Sequence, residues 1–188
     1  AQQPNGSIPD VAPAYWPFYS DNVTWPSSAI IIPGALQRQY GDTASLGRDY
    51  DSGKLWIERM LTFAKDNILS KDNYGDWCVP PEEAKLIHSK DPARQTDKAL
   101  LATSYFYYDL HLMGRYAKML GKTADVERWS RLAEDYKTAF NQKFLNRDKG
   151  QYDNGSQTSC VLPLAFGLVS EDMRDRIFAH LVNKIENE

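Results

Sequence analysis

Three short stretches set an aromatic ring beside a carboxylate or amide just ahead of an apolar run. They are Tyr19-Ser20-Asp21-Asn22-Val23-Thr24-Trp25-Pro26, Tyr74-Gly75-Asp76-Trp77 and Tyr152-Asp153-Asn154. Aromatic rings can cover the C–H face of a pyranose, burying apolar area against a π surface. Carboxylates and amides exchange hydrogen bonds with hydroxyls, and charged acceptors make the stronger ones. Gathered around one concave mouth, these groups would form a saccharide site. A single tryptophan near a helix start is usually packing, but three similar loops at equivalent positions favour a shared rim.

Other constellations fall away. His88, His111 and His180 have no metal-ligand spacing with one another or with the two cysteines. No Gly-x-Ser-x-Gly elbow and no phosphate-binding glycine loop is present. Carboxylates for acid–base work are plentiful, yet no pair stands out as lying at a hydrolytic separation. No metal and no cofactor is expected.

The elements that must position these loops are helical. Residues 1 to 26 carry Pro4, Pro9, Pro13, Pro17 and Pro26 and cannot be helical throughout, and Asp10 sets a turn among them. From Ser27 to Tyr40 the run Ile30, Ile31, Ile32, Ala35, Leu36 is apolar on most sides, which predicts a helix buried all round. Gly41-Asp42-Thr43 supplies a C-terminal glycine and then N-cap residues. Over about 44 to 69, Leu46, Tyr50, Ile57, Leu61, Ala64 and Ile68 recur at steps of three and four, predicting a one-sided helix.

Residues 70 to 96, with Pro80-Pro81 and Pro92, read as a long connection. A second buried helix follows from Thr96, carrying Leu101, Tyr105, Tyr108, Leu112, Tyr116 and Met119 on one stripe; Tyr105 to Tyr108 and His111 read as core. Residues 124 to 145 are amphipathic again. Ser156 to Leu168 repeats the buried type, with Pro163 expected to kink or shorten it. Met173, Ile177, Leu181 and Ile185 then mark a last amphipathic helix. Trp56 and Trp129 fall on amphipathic faces and read as packing between helices.

The order is thus buried, exposed, three times over, with tight glycine turns inside each pair and long loops leading into each buried helix. The echo Gly-x-Thr-Ala at Gly41 and Gly121 supports a repeated hairpin. The turn glycines are unevenly spaced, which excludes a regular tetratricopeptide array. Alternating inner and outer helices are what an α/α toroid requires. The expected fold is therefore all-α, with about three inner/outer helical hairpins of a partial toroid and the three polar-aromatic loops at one mouth.

The whole-chain figures agree with one domain. At 188 residues, 42% hydrophobic and 25% charged, the chain can bury a real core. A net charge of −3 with no basic run argues against nucleic acid as a partner. No apolar stretch approaches the roughly 18 residues of a membrane span. Cys78 and Cys160 are expected to be free and buried, with a pair as the alternative. The Asn-x-Ser/Thr triplets at Asn5, Asn22 and Asn154 are expected to be unused. A start at Ala1 without Met and a helical pattern running to Glu188 suggest a single segment, 1–188, of a longer domain cut at both ends. An extracytoplasmic location, periplasmic or secreted, is favoured over the cytoplasm.

Taken in order, Asn5-Gly-Ser-Ile-Pro-Asp-Val-Ala-Pro, Asp21 to Trp25, Ile31-Ile32-Pro33, Tyr40-Gly41-Asp42-Thr43, Tyr74-Gly75-Asp76-Trp77 and Tyr152-Asp-Asn-Gly-Ser-Gln-Thr158 resemble the catalytic (α/α)6 barrel of bacterial α-L-rhamnosidases of glycoside hydrolase family 78. The resemblance covers essentially the whole chain. It implies an inverting hydrolase that removes terminal α-L-rhamnose, using one glutamic acid as general acid and another as general base. The motifs that carry those two residues lie on either side of this segment and are not in it, so no catalytic residue is assigned. The resemblance implies a sugar-binding set of Asp21, Trp25, Asp76, Trp77, Asn154 and Gln157, with Trp25 and Trp77 lining the rhamnose pocket. The partners implied are a rhamnoside and the rest of the barrel.

Two departures are visible. Many relatives carry Asp where this chain has Ser27, and Trp where it has Gly34. The alternative function is a non-catalytic helical sugar-binding or scaffold module. An isoprenoid-type toroid is disfavoured because no Asp-rich metal motif appears.

Overall fold

A computed structural model describes residues 2–13 and 18–187; Pro17 and Glu188 lie outside the described residues. Six helices appear in order: α1 (Ser28–Tyr40), α2 (Ala44–Leu61), α3 (Lys98–Met119), α4 (Thr123–Phe144), α5 (Gln157–Phe166) and α6 (Arg174–Asn187). They form three hairpins, α1 with α2, α3 with α4 and α5 with α6. Helix α3 also packs on α1 and α5, so α1–α3–α5 is an inner row and α2, α4 and α6 lie outside it. This is the arc of alternating inner and outer helices that the sequence pattern predicts. Among the described residues no helix is long and apolar enough to cross a membrane.

The helix ends follow from local chemistry. Gly41 closes α1 in the left-handed region (φ 70°), where a Cβ would be strained, and its N–H returns to Gln37 O. Asp42 Oδ1 then accepts from Ala44 N and Ser45 N, 2.9 and 3.2 Å away, and starts α2. Asp97 caps α3 by accepting from Ala99 N and Leu100 N. Ser156 caps α5 through Ser159 N.

The core sits between the rows. Trp56 and Trp129 are fully buried between helices, as their positions on the amphipathic faces predict. Trp129 Nε1 donates to Tyr50 Oη at 3.0 Å, and Tyr50 donates to Asp125 Oδ2 at 3.0 Å. Lys54 Nζ reaches the same carboxylate at 3.1 Å. Burial, with Asp125 adding to it, pushes the Tyr50 hydroxyl up to about 12.

Several expectations need correction. Helix α2 stops at Leu61, short of residue 69, because Asp66 and Asn67 both adopt positive φ and close a tight turn between Lys65 and Ile68. Helices α1 and α5 are not buried all round: Ile32 is 55% and Val161 42% exposed. Both lie at the ends of the inner row, where neighbours flank them on fewer sides, and only α3 is enclosed. Helix α5 runs from Gln157 to Phe166 with Pro163 inside it, and closes at the left-handed Gly167, short of the expected end at Leu168. A two-stranded hairpin, β1 (Leu145–Asn146) against β2 (Gln151–Tyr152), follows α4. Both cysteines are free, but Cys78 is exposed and only Cys160 is buried.

Candidate functional site

The first two polar-aromatic loops are fastened to each other. Val23 N donates to Lys71 O at 3.0 Å and Asn73 N to Asn22 Oδ1 at 2.8 Å. The Tyr74 hydroxyl donates to Asp10 Oδ2, and the Ser20 hydroxyl donates to the other oxygen of the same carboxylate, Oδ1, at 2.9 Å. The buried Asp72 then accepts from Tyr74 N and Gly75 N, at 2.8 and 3.0 Å. That turn, with Gly75 at φ 56°, delivers Asp76 and Trp77 to the rim.

The second loop is fastened to the third. Asp76 Oδ2 accepts from Thr96 N at 3.0 Å, and the Thr96 and Ser156 hydroxyls lie 2.6 Å apart. Asn154 Nδ2 donates to Ala93 O and Gln95 O, while its Oδ1 accepts from Ser156 N. The ends of the three loops that lead into the inner helices therefore meet.

At the meeting point stand three aromatic rings. Trp25 stacks on Tyr74 with ring centres 4.3 Å apart and planes 11° apart. Trp77 tilts against both, at 5.6 and 5.9 Å. They wall a hollow of about 240 Å³ whose floor is Leu101 and Tyr105 of α3 with Thr158 and Leu162 of α5. A second hollow of about 530 Å³ shares Trp77 with the first and is lined in part by Asp76, Arg94, Gln157 and Lys184. Gly75, Asp76, Trp77 and Thr158 border both.

Of the six residues the sequence singles out, Trp25, Asp76 and Trp77 meet around the first hollow, and Gln157 faces the second. Asp21 and Asn154 line neither. Asp21 is buried at φ 56° and accepts from Arg59 Nη2 at 2.7 Å and from the Ser7 hydroxyl at 2.6 Å. Burial works to raise its pKa, but the bonds from Arg59 and Ser7 outweigh that and hold the carboxyl below its ordinary value. Asn154 uses both amide hydrogens and its oxygen on loop backbone.

Tyr152, expected at the mouth, is instead fully buried, packed on Phe140 with its hydroxyl on Asn141 Oδ1 at 2.6 Å. Strand β2 turns its side chain inward, so the third loop brings no ring to the rim. His111, expected in the core, is exposed on α3. Asn22 is buried and bonded to Ser20 and Asn73.

Tyr105 reads from sequence as core but belongs to the floor of the first hollow. A signal for it exists: Leu101 and Tyr105, like Thr158 and Leu162, lie four residues apart near the start of a helix. Each pair therefore shares the face that opens next to the loops. Arg94 and Lys184 carry no such signal. Among the described residues no cluster of three His, Cys, Asp or Glu side chains converges to hold a metal.

The model of the bacterial α-L-rhamnosidase six-hairpin glycosidase domain matches residues 1–188. The chain belongs to this family. An α-L-rhamnosidase of Formosa agariphila is 28% identical over 185 residues, covering 98% of this chain and 19% of that protein. Two solved structures superpose with a TM-score of 0.86. One is the Streptomyces avermitilis α-L-rhamnosidase in complex with L-rhamnose, 27% identical over 99% of this chain and 17% of its own. The other is the α-L-rhamnosidase of Dictyoglumus thermophilum, 37% identical, with 98% and 20% covered. The chain thus spans about a fifth of the length of these relatives.

Proposed function

We propose that these residues supply sugar-binding surface to the catalytic site of an inverting glycoside hydrolase that removes terminal α-L-rhamnose. The observation that carries this reading is the aromatic trio Trp25, Tyr74 and Trp77 around a hollow floored by Leu101 and Tyr105. Such a surface suits the C–H face and methyl group of a deoxy sugar. Asp76 at its edge offers a carboxylate to the hydroxyls. The rhamnose complex of the Streptomyces relative, alike over this whole segment, points to the same ligand class.

In this reading Trp25, Asp76 and Trp77 touch the sugar, Gln157 borders the adjoining hollow, and Asp21 and Asn154 hold the loops. The catalytic acid and base come from elsewhere in the full-length protein, set roughly 6.5–9.5 Å apart to admit a water. The test is Trp77→Ala in that full-length protein. Trp77 is 57% exposed, so its loss leaves the fold intact. L-rhamnose affinity should fall by about tenfold, the weight of one stacked ring at roughly 1.5 kcal/mol. Unchanged affinity, KM and kcat would sink the assignment.

A further inference from the structure

Asp109 of α3 is fully buried at the centre of the arc. Its Oδ2 lies 2.7 Å from Ser27 Oγ and accepts from Trp56 Nε1 at 3.3 Å, and its Oδ1 has no partner. Ser27 Oγ is also 2.7 Å from Val23 O. A hydroxyl carries one proton, so Ser27 can donate to only one of these two oxygens. If it donated to Asp109, the contact with Val23 O would be a protonless meeting of two acceptors. If it donates to Val23 O, the second contact needs a proton from Asp109. Only a protonated carboxyl satisfies every short distance, and it also avoids leaving an anionic oxygen bare in the core.

From this proton count we propose that Asp109 is a neutral carboxylic acid whose O–H donates to Ser27 and thereby positions Trp25. Val23 O accepts both the N–H and the hydroxyl of Ser27, closing the turn 23–27 with Trp25 at its crown. Asp109 bolts the closing residue to α3, and Trp56 bolts the same carboxyl to α2. Burial drives the Asp109 pKa well above the ordinary carboxylate value, and the bonds that Ser27 and Trp56 could offer to the ionised form oppose it only in part.

The elements packed over Asp109 present Ser27 and Trp56, neither of which titrates. The titratable side chains that feel its charge are Tyr105 and Tyr116 on its own helix. Losing the Asp109 proton forces Ser27 to turn its hydroxyl to the carboxylate and release Val23 O, which loosens the turn under Trp25.

The coupling to sugar rests on the reading of Trp25 as a wall of the site; the protonation does not. The full-length protein is tested in three forms: unaltered, Asp109→Asn and Asp109→Leu. An amide nitrogen in the place of Oδ2 can donate to Ser27 as the neutral acid does, whereas leucine cannot; both variants lose the acceptor for Trp56 Nε1, so their difference reports the bond to Ser27. Amide hydrogen exchange over residues 23–27 should be slow in the unaltered protein and in Asp109→Asn, and faster by about tenfold in Asp109→Leu. L-rhamnose affinity should follow the same order. At alkaline pH the unaltered protein should lose affinity and Asp109→Asn should not.

Infrared difference spectra of the unaltered protein against Asp109→Asn should contain the carbonyl band of a protonated acid at neutral pH, a readout independent of whether Asp109→Leu folds. A carboxylate band there, or equal damage from both substitutions, overturns the proposal. Altered exchange with unchanged rhamnose affinity overturns only the coupling to Trp25. The sugar reading itself falls if Trp25→Ala also leaves that affinity unchanged.

Discussion

Arg59→Met in the full-length protein isolates what Asp21 does. The Asp21 side chain is 8% exposed and that of Arg59 27%, so their 2.7 Å pair is largely out of water. Removing one partner from a fully buried pair costs about 3–5 kcal/mol, because the other charge is left uncompensated. Here the Ser7 hydroxyl remains on Asp21 at 2.6 Å and the arginine head keeps some water, which places the cost near 2–3 kcal/mol.

The cost falls on the loop that carries Trp25. Hydrogen exchange over residues 18–26 should therefore accelerate roughly 30- to 150-fold. The Arg59 guanidinium also lies 4.7 Å from the Phe63 ring centre, so the uncharged thioether of methionine removes the charge together with that cation–π contact. Asp21→Asn, alone and with Arg59→Met, completes the cycle, and the double variant should cost less than the two singles summed. On a rhamnoside substrate KM should rise in both singles with little change in kcat. Additive effects, or a rise in KM without faster exchange, would mean that Asp21 meets the sugar directly.

The sign with pH is fixed. A carboxyl held below its unfolded pKa adds stability above that value and loses it as pH falls through the folded pKa. Loop protection should thus fall below about pH 4 in the unaltered protein and stay level in Asp21→Asn.

Two further predictions concern the frame. Tyr50→Phe leaves the buried Trp129 N–H without its acceptor and should cost about 1–3 kcal/mol in urea denaturation; a loss under about 0.5 kcal/mol would deny that bond its role. Gly34→Ala would put a Cβ 2.0 Å from the Tyr116 hydroxyl, whose bond to Ile30 O would break, so a Tm drop reflecting about 1–3 kcal/mol is expected. Tyr116→Phe in the same chain should recover part of it; no recovery would place the clash elsewhere.

The hairpins and the meeting of Trp25, Asp76 and Trp77 were legible because they rest on local signals. Apolar periods of three and four marked the inner and outer helices, and glycines marked the tight turns. What the sequence hid depends on partners distant in the chain. Nothing near Asp21 shows that Arg59 will claim it, and nothing near Asp109 points to Ser27.

The apolar period of α2 ran on through Ala64 and Ile68 because those residues are partly buried without being helical. The Asp66-Asn67 pair was the turn signal that should have stopped it. Tyr152 looked like a rim aromatic because its neighbours are polar, yet strand alternation sends it inward. At Gly34 the close approach of the Tyr116 hydroxyl leaves no space for a side chain, and nothing near Gly34 in the chain announces it.

The bond from Thr96 N to Asp76 Oδ2 joins residues twenty apart in the chain. It acts as a drawstring at the neck of the longest loop. Lengthening such a loop twofold costs only about 0.6 kcal/mol of closure entropy. Residues 78–92 are thus a cassette that can be exchanged while Asp76 and Trp77 stay in register and Ala93 and Gln95 keep their hold on Asn154. Evolution, or a protein engineer, can retune what borders the second hollow without rebuilding the first.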